Sequence, residues 1–486
     1  MSLTFTYSRG ATLGLLAGFG VFAAAMLINF KKIAFVLLAV FLINIFFGSA
    51  FNRFNVGQFF QVKPAPSIAE RKADTTKPAP AGGTQLENGG TESGKIRLIV
   101  WKGALEIFRK YPWFGTGVET FAFSYYQFRP TEHNLVSEWD FLYNKAHNEF
   151  LNYLATTGAV GLLSYLSLWV VIGIGILGQL KHSNSSHQTG IAIAWLTGLV
   201  AQGISNFFGF STVAINVLFW LGLAWLGVWT HQTSLASATP VQNSSAPTLT
   251  GWNWMKAAGI TILSLWTITL VLTWWSADRD YAASKALLAA GSYELGMTKL
   301  EQAIAASPSE ALFWDELANQ YSRLAVALKT SPQASTSGEV ITQLSQAAVA
   351  ASDQTLALNS RHLDFHKTRA RIFINLSQID PTYLTQAQAA LQTAIKLSPT
   401  DPKLVYHLGL VEISAGQTSA GLAHLEQAVA MKPNYLTAWF DLGKAYEQAG
   451  QPTNAIATYE RLLELSPQNP EVTAQLKALQ NLDQTP

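Results

Sequence analysis

Three basic side chains that could do chemistry lie beside apolar segments of this chain. Arg9 begins an apolar run, Arg97 lies one helical turn before Trp101, and His147 lies just before another apolar run. A guanidinium presents a planar fork of donors that matches phosphate oxygens. An imidazole that is neutral near pH 7 can accept a proton. If the fold brings these side chains together, they predict a site for a phosphorylated substrate.

The composition indicates a membrane protein. Of the 486 residues, 49% are hydrophobic and 13% are charged, and that charged fraction is about half of the usual share. The net charge of +2 gives no case for a nucleic-acid partner. Cysteine is absent from the sequence, which excludes disulfides and thiolate metal sites. We predict neither a metal site nor a cofactor.

Apolar segments predict a polytopic bundle of about six membrane spans, each needing about 20 residues. They lie at 10–28 and 33–51 (within 1–51), at 158–180, 190–208 and 212–229 (within 158–229), and at 255–275. Basic residues in the short turns, Lys31-Lys32 and Lys181, favour a cytoplasmic location for those turns. Alternation then places the loop 52–157 and the segment 276–486 outside the membrane, and the linker 230–254 in the cytoplasm. Because Met1 also falls outside, this arrangement predicts further helices upstream.

The long outer loop has two parts. Residues 52–94 are rich in Pro, Ala and Gly, a composition that predicts disorder. Residues 95–157 differ: apolar residues recur at helical spacing over 96–108, so we predict an amphipathic helix there. A turn at Gly115-Thr116-Gly117, an aromatic region at 121–143 and a short helix carrying His147 follow. We therefore expect 95–157 to be the catalytic loop.

The last part of the chain is repetitive. Trp439-x2-Leu442-Gly443-x2-Tyr446 fits the first-helix signature of the tetratricopeptide repeat (TPR), and a related pattern recurs about 34 residues earlier. We predict about five degenerate helix pairs with a capping helix, stacked as an α-solenoid. The predicted fold is therefore all-α, with a membrane bundle followed by a TPR array. Such arrays bind many kinds of partner, so the repeat predicts fold more strongly than function.

Four motifs in order resemble the O-antigen ligase family, over roughly residues 3–229. They are Ser8-Arg9-Gly10 at a span end, Arg97-x3-Trp101, Tyr111-Pro112-Trp113-Phe114-Gly115-Thr116-Gly117, and His147-Asn148-Glu149-Phe150-Leu151 followed by Thr157-Gly158-Ala159-Val160-Gly161-Leu162. The resemblance implies a multi-pass enzyme of the bacterial inner membrane. Such an enzyme transfers a glycan from a polyprenyl diphosphate carrier to an acceptor hydroxyl outside the membrane. Arg9 and Arg97 would hold the diphosphate, and His147 would act as base. Family members normally have several more spans before the Ser-Arg-Gly helix.

Other residues and other readings complete the prediction. Candidate substrate contacts are Trp101, Asn148, Glu149, Tyr125 and Tyr126, the tyrosines as a stacking surface for sugars. Taken alone, His147 fits an interfacial polar residue, and Arg9 and Arg97 fit flanking charges. The expected partners are the lipid-linked glycan donor, a lipid, glycan or protein acceptor hydroxyl, membrane lipid and a protein at the TPR array. The alternatives are a polysaccharide polymerase of the same family, and a membrane-anchored TPR scaffold with an inactive transferase remnant.

Overall fold

The structure is a computed structural model that describes residues 9–25, 93–141, 143–182, 186–236, 251–330 and 338–483. The described residues form 17 α-helices and no strand, so the predicted all-α class is confirmed. The predicted span at 33–51, most of the insert at 52–94 and the linker residues 237–250 lie outside the described residues. The chain divides into two compact units between Val241 and Gln242.

The first unit has six α-helices in its described residues. They are α1 Arg9–Ala25, α2 Ser93–Lys110, α3 Phe121–Phe128, α4 Glu149–His182, α5 Ser186–Phe207 and α6 Val213–Ala236, with a 3-10 helix at Thr131–Leu135. Two of them, α4 and α5, are long and apolar enough to cross a membrane, with mean hydropathies of 2.2 and 1.3 over an 18-residue window in each. Shorter apolar stretches lie in α1 (Leu13–Ala24) and in α6 (Val213–Ala224).

Helices α1 and α5 pack closely through glycine. A Cβ atom on Gly14 would lie 2.5 Å from the carbonyl oxygen of Ala201, and one on Gly18 would lie 3.0 Å from that of Thr197. Small residues of this kind let the backbones of membrane helices approach each other. The contact moves back along α5 as α1 advances, so the two helices are antiparallel. The first residue of α1, Arg9, therefore lies at the end of the pair where α5 finishes at Phe207.

The amphipathic helix predicted at 96–108 is confirmed as α2. Its buried face, which includes Ile96, Val100 and Ile107, packs against Phe121 and Tyr125 in a small core. A Cβ atom on Gly103 would lie 2.5 Å from the Tyr125 ring, so glycine allows that ring to lie directly on the helix. This core supports the segment that carries His147.

Helix α4 is broken at Gly158, where the predicted third span begins. Gly158 has φ 66° and ψ −167°, a backbone region that is essentially restricted to glycine. The segment 112–117 lies against the break, and we call this contact the Gly158 junction. Four backbone hydrogen bonds form it: Thr116 N to Ala155 O (3.2 Å), Gly117 N to Thr156 O (2.8 Å), Ala159 N to Pro112 O (2.8 Å) and Val160 N to Trp113 O (3.2 Å). The junction satisfies backbone groups that the broken helix leaves unpaired.

The second unit is a solenoid of helix pairs that begins within a membrane-type helix. Its helices are α7 Gly251–Ala289, α8 Tyr293–Ala306, α9 Ala311–Thr330, α10 Gly338–Leu358, α11 Leu363–Leu376, α12 Tyr383–Leu397, α13 Pro402–Ser414, α14 Thr418–Met431, α15 Leu436–Gln448, α16 Pro452–Leu465 and α17 Pro470–Asp483. Consecutive helices pack as five pairs from α7–α8 to α15–α16, and α17 follows as a cap. This is the predicted repeat array. Gly443 lets α15 lie close against the Tyr459 ring of α16, since a Cβ atom on Gly443 would lie 2.4 Å from that ring.

Helix α7 contains both a stretch of membrane-spanning length and the first helix of the array. Its apolar part lies within Trp254–Ala289 and is long enough to span a membrane, with a mean hydropathy of 1.7 over an 18-residue window. From Ala277 onward the helix is partly buried against α8, and Ser284 Oγ donates to the carbonyl of Gly296 at 2.7 Å. The sequence predicted a span ending at 275 and a separate array after it. The structure instead has one uninterrupted helix of 39 residues.

Candidate functional site

His147 lies in the segment between the 3-10 helix and α4, and its backbone is fixed from both sides. Trp101 Nε1 on α2 donates to the carbonyl of Ala146 at 3.0 Å. The amide of Ala146 donates to Asn152 Oδ1 on α4 at 3.3 Å. His147 itself has φ 53°, a left-handed conformation that is uncommon for a residue other than glycine. Such a conformation persists where the surroundings enforce it, and it is more frequent at functional sites.

Asn148 fixes the start of α4 directly after His147. Its Oδ1 atom accepts from the amide of Leu151 at 3.0 Å, which is the bond of an N-cap residue. The side chain is 2% exposed. Asn148 was predicted to contact substrate, but the structure places it as a buried cap. Its contribution to the site is to set where the helix begins.

Glu149, also predicted as a substrate contact, occupies the first position of α4 and is 7% exposed. Its carboxylate lies near the Lys145 ammonium and the backbone amide of Ser211. A negative charge at the first turn of a helix is favoured by the helix dipole. These surroundings give Glu149 a role in joining α4 to the segment after α5.

The ring of His147 is held between two aromatic rings. It meets Tyr143 edge-on at 6.0 Å between centroids and Phe210 edge-on at 5.4 Å. Burial and the positive charge of Arg97 lower the pKa of His147 below its ordinary value, while the Glu138 carboxylate acts in the opposite direction. His147 is therefore neutral at pH 7, as an imidazole that accepts a proton must be.

The predicted pair on α2 faces this ring. Arg97 is half-buried, and its charge acts on both His147 and Tyr143. One turn later, the Trp101 indole contacts Phe207 at the end of α5, with ring centroids 5.6 Å apart. The structure thus brings Arg97, Trp101 and His147 together. The start of α1 lies at this same end of α5, which places the backbone of Arg9 on this side, while its side chain lies outside the described residues.

The two tyrosines predicted to stack on sugars are buried. Tyr125 is 1% exposed and Tyr126 is 8% exposed. The Tyr125 hydroxyl is bonded to His133 Nδ1 at 2.8 Å, and its ring packs on Phe121. Burial leaves neither tyrosine a ring face for a sugar, so we do not include them in the site. Their sequence pattern, an aromatic run in a loop, is as typical of a loop core as of a sugar platform.

His133 belongs to that core. It is fully buried, and burial together with the Arg129 charge lowers its pKa to about 4. It is therefore neutral inside the protein, and its Nδ1 atom is hydrogen-bonded to the Tyr125 hydroxyl. Its ring also contacts Tyr143 edge-on at 5.1 Å. His133 thus packs against Tyr143, the ring that contacts His147.

Sequence reasoning missed two residues near His147. Glu138 accepts a hydrogen bond from the Tyr143 hydroxyl, and Phe210 forms one side of the His147 ring contact. Neither lies at a spacing from His147 that a helix or strand would bring together. Within the part of the chain that the structure describes, no three His, Cys, Asp or Glu side chains are grouped as metal ligands.

Comparison with known proteins covers both units. Residues 1–166 match a family model described as O-antigen ligase, and residues 406–470 match one described as tetratricopeptide repeat. Comparison with curated proteins gave no match.

Solved structures similar to this chain match about two fifths of it. The MamA protein is 19% identical with a TM-score of 0.32, over 40% of this chain and 92% of MamA. A thermophilic TPR protein in Thermus thermophilus is 20% identical with a TM-score of 0.29, over 42% of this chain and 98% of that one. PilW, a type IV pilus biogenesis factor, is 15% identical with a TM-score of 0.31, over 39% of this chain and 78% of that one.

Proposed function

The chain carries an O-antigen ligase domain in residues 1–166, followed by TPR repeats, and on that premise we propose that His147 is the base of a membrane glycan transferase. The family match supports a glycan-transferring role in the membrane. The finer proposal is transfer of a glycan from a polyprenyl diphosphate carrier to an acceptor hydroxyl. The acceptor belongs to a lipid, a glycan or a protein.

The observation that carries this proposal is the meeting of Arg97, Trp101 and His147. Trp101 holds the carbonyl next to His147 at 3.0 Å, and Arg97 lies one turn away on the same helix face. A neutral imidazole and a guanidinium whose charge acts on it therefore lie together at the start of an apolar helix. Those two groups are what hydroxyl activation and diphosphate binding require.

The proposed step is a single displacement. The acceptor oxygen attacks the anomeric carbon, and the bond from that carbon to the diphosphate oxygen breaks. The hydroxyl proton passes to the His147 ring, and polyprenyl diphosphate leaves. Arg97, with Arg9, balances the negative charge on the leaving group. A general base contributes about 100- to 10,000-fold, and a lost donor at developing charge costs on the order of 100-fold or more.

The proposed location is the outer face of a bacterial inner membrane. His147 lies two residues before α4, which is long and apolar enough to span a membrane. In this arrangement residues 95–157 form the catalytic loop, 230–254 a cytoplasmic linker and 276–486 an outer TPR domain. Single cysteines introduced into each of the three segments, with their accessibility to a membrane-impermeant thiol reagent measured in whole cells, test this topology directly.

The test of the proposed function is complementation of a strain that lacks the gene. His147→Ala and Arg97→Ala are each expected to lower glycan transfer by at least about 100-fold, measured by mass analysis of surface glycans. Matched controls are His187→Ala, an exposed histidine at the start of α5, and Arg109→Ala, an exposed arginine on the same helix as Arg97. Full transfer by a membrane-inserted His147→Ala protein would refute the proposal.

The repeat array favours one second candidate, a scaffold whose transferase domain is inactive. Under that reading His147→Ala is silent, whereas a change inside the array abolishes function. Tyr446→Ala is suitable, because the ring is 9% exposed and its hydroxyl is bonded to Glu426. Comparing the two variants in the same strain separates the candidates.

A further inference from the structure

The orientation of the His147 ring depends on Tyr143. The two rings meet at an interplanar angle of 70°, and Phe210 lies against the imidazole at 69°. His147 also has a left-handed backbone conformation, with φ 53°. The ring is therefore positioned by its two aromatic neighbours as well as by its backbone.

Tyr143 is itself fixed within the loop core. It is 7% exposed, and its ring contacts Tyr125 and His133 with centroid distances of 5.9 Å and 5.1 Å. Its hydroxyl donates to Glu138 Oε2. Burial and that bond raise the pKa of Tyr143, so the hydroxyl keeps its proton and remains a donor. One tyrosine thus connects a carboxylate to the edge of the imidazole.

Charges of opposite sign act on His147 from two elements. Arg97 acts from α2, and Glu138 acts from the loop, with Tyr143 between the carboxylate and the ring. Phe210, which comes from the segment after α5, carries no charge. An imidazole that gains a proton here becomes a second cation beside Arg97. The Glu138 carboxylate is placed to offset that charge.

Resting on the proposed function, we propose that Tyr143 and Glu138 form a positioning pair for His147. Tyr143 sets the orientation of the imidazole through its ring edge and holds Glu138 through its hydroxyl. Glu138 stabilises the imidazolium that forms when the acceptor hydroxyl gives up its proton. Both residues act through His147.

The first experiment measures the titration of His147 without any glycan substrate. The full-length protein in detergent is treated with diethyl pyrocarbonate across a pH series, and modification of His147 is followed by peptide mass spectrometry. The reagent modifies neutral imidazole, so its rate reports the neutral fraction. Glu138→Gln is expected to move the midpoint down by about 0.5 to 1 pH unit. His133, fully buried, serves as the unreactive internal reference.

The matched control is Glu132→Gln. Glu132 lies in the same loop, but it is exposed and its carboxylate pairs with Lys102 at 3.4 Å. This variant is expected to leave the His147 midpoint unchanged. Tyr143→Phe keeps the ring edge and removes the hydroxyl, so it is expected to move the midpoint in the same direction as Glu138→Gln. Glu138→Asp, which keeps the charge, is expected to restore most of the parental midpoint.

The second experiment follows transfer activity. Glu138→Gln is expected to lower kcat by about tenfold and to move the acidic limb of the kcat/KM profile with the modification midpoint. An unchanged His147 midpoint in Glu138→Gln and in Tyr143→Phe overturns the pair, even where activity falls through loss of thermal stability. A shifted midpoint combined with full transfer by His147→Ala supports the pair but refutes the proposed function, so the two failures are distinguishable.

Discussion

Replacing Gly158 with alanine should disrupt the Gly158 junction. The backbone there, at φ 66° and ψ −167°, suits glycine alone, and a non-glycine residue in such a region costs about 1–3 kcal/mol. The added Cβ atom would also lie 2.4 Å from the carbonyl carbon and oxygen of Trp113. That overlap is with backbone, so the loop must move. The hydrogen bonds of Ala159 and Val160 to the loop would then be lost, at about 1 kcal/mol each.

Together these costs come to about 3–5 kcal/mol. For a unit of this size, that corresponds to a fall in Tm on the order of 10 °C. The assay is thermal unfolding of the full-length protein in detergent, with limited proteolysis at 111–117 as a local probe. The matched control is Gly173→Ala on the same helix, where an added Cβ atom meets nothing within 4 Å. It is expected to leave the Tm unchanged or slightly raised.

The partner position sharpens this test. A Cβ atom on Gly115, which has φ 64°, would lie 2.3 Å from the carbonyl carbon of Thr156. Gly115→Ala should therefore open the same junction from the other side. Because both changes break one contact, the double variant should lose much less than the sum of the two single losses. Equal stability of Gly158→Ala and Gly173→Ala would refute the reasoning.

Two further predictions concern the loop core and the site. The unfolded chain binds a proton at His133 below pH 6.5, whereas the folded chain binds it only near pH 4. The stability that this histidine contributes is therefore complete above pH 6.5 and is lost as pH falls toward 4. Between pH 7.5 and pH 5 the free energy of unfolding should fall by about 2 kcal/mol. His133→Gln should flatten this pH dependence in denaturant melts. An equally steep pH dependence in the variant would contradict the assignment to His133. Trp101→Phe keeps a ring beside Phe207 but removes the bond to the Ala146 carbonyl, so transfer should fall about tenfold or more with a change in Tm of a few degrees at most. Unchanged transfer by Trp101→Phe would mean that the indole bond does not hold His147 in place.

Periodic features of the sequence predicted the elements well. Apolar residues at helical spacing gave α2, and the spacing of Trp439, Gly443 and Tyr446 gave the helix pairs of the second unit. These patterns work because the buried face of a helix repeats along the chain. The end of the apolar stretch at Trp275 marks the end of a membrane-length segment and not the end of a helix, so it did not show that α7 continues to Ala289.

The site was predicted in part. Arg97 and Trp101 were paired correctly because four residues make one helical turn. The prediction of a short helix carrying His147 was wrong, because His147 has a left-handed backbone and lies in a non-helical segment directly before α4. The surroundings of His147 depend instead on segments far apart in sequence. Its contact with Phe210, the break at Gly158 and the bond from Tyr143 to Glu138 arise from tertiary packing. Local spacing carries no information about such contacts, and burial of Tyr125 likewise follows from the core beneath it.

The continuity of α7 has a mechanical consequence. An α-helix of 39 residues is about 58 Å long and turns by about 100° per residue. The array continues from the same helix whose first part is long and apolar enough to cross a membrane, and the helix is unbroken between Trp275 and Ala277. The direction in which the array faces is therefore set by helical phase. One residue inserted at that point would rotate the whole array by about 100° about the helix axis, whereas seven would return it close to its original heading and about 10 Å farther from the membrane.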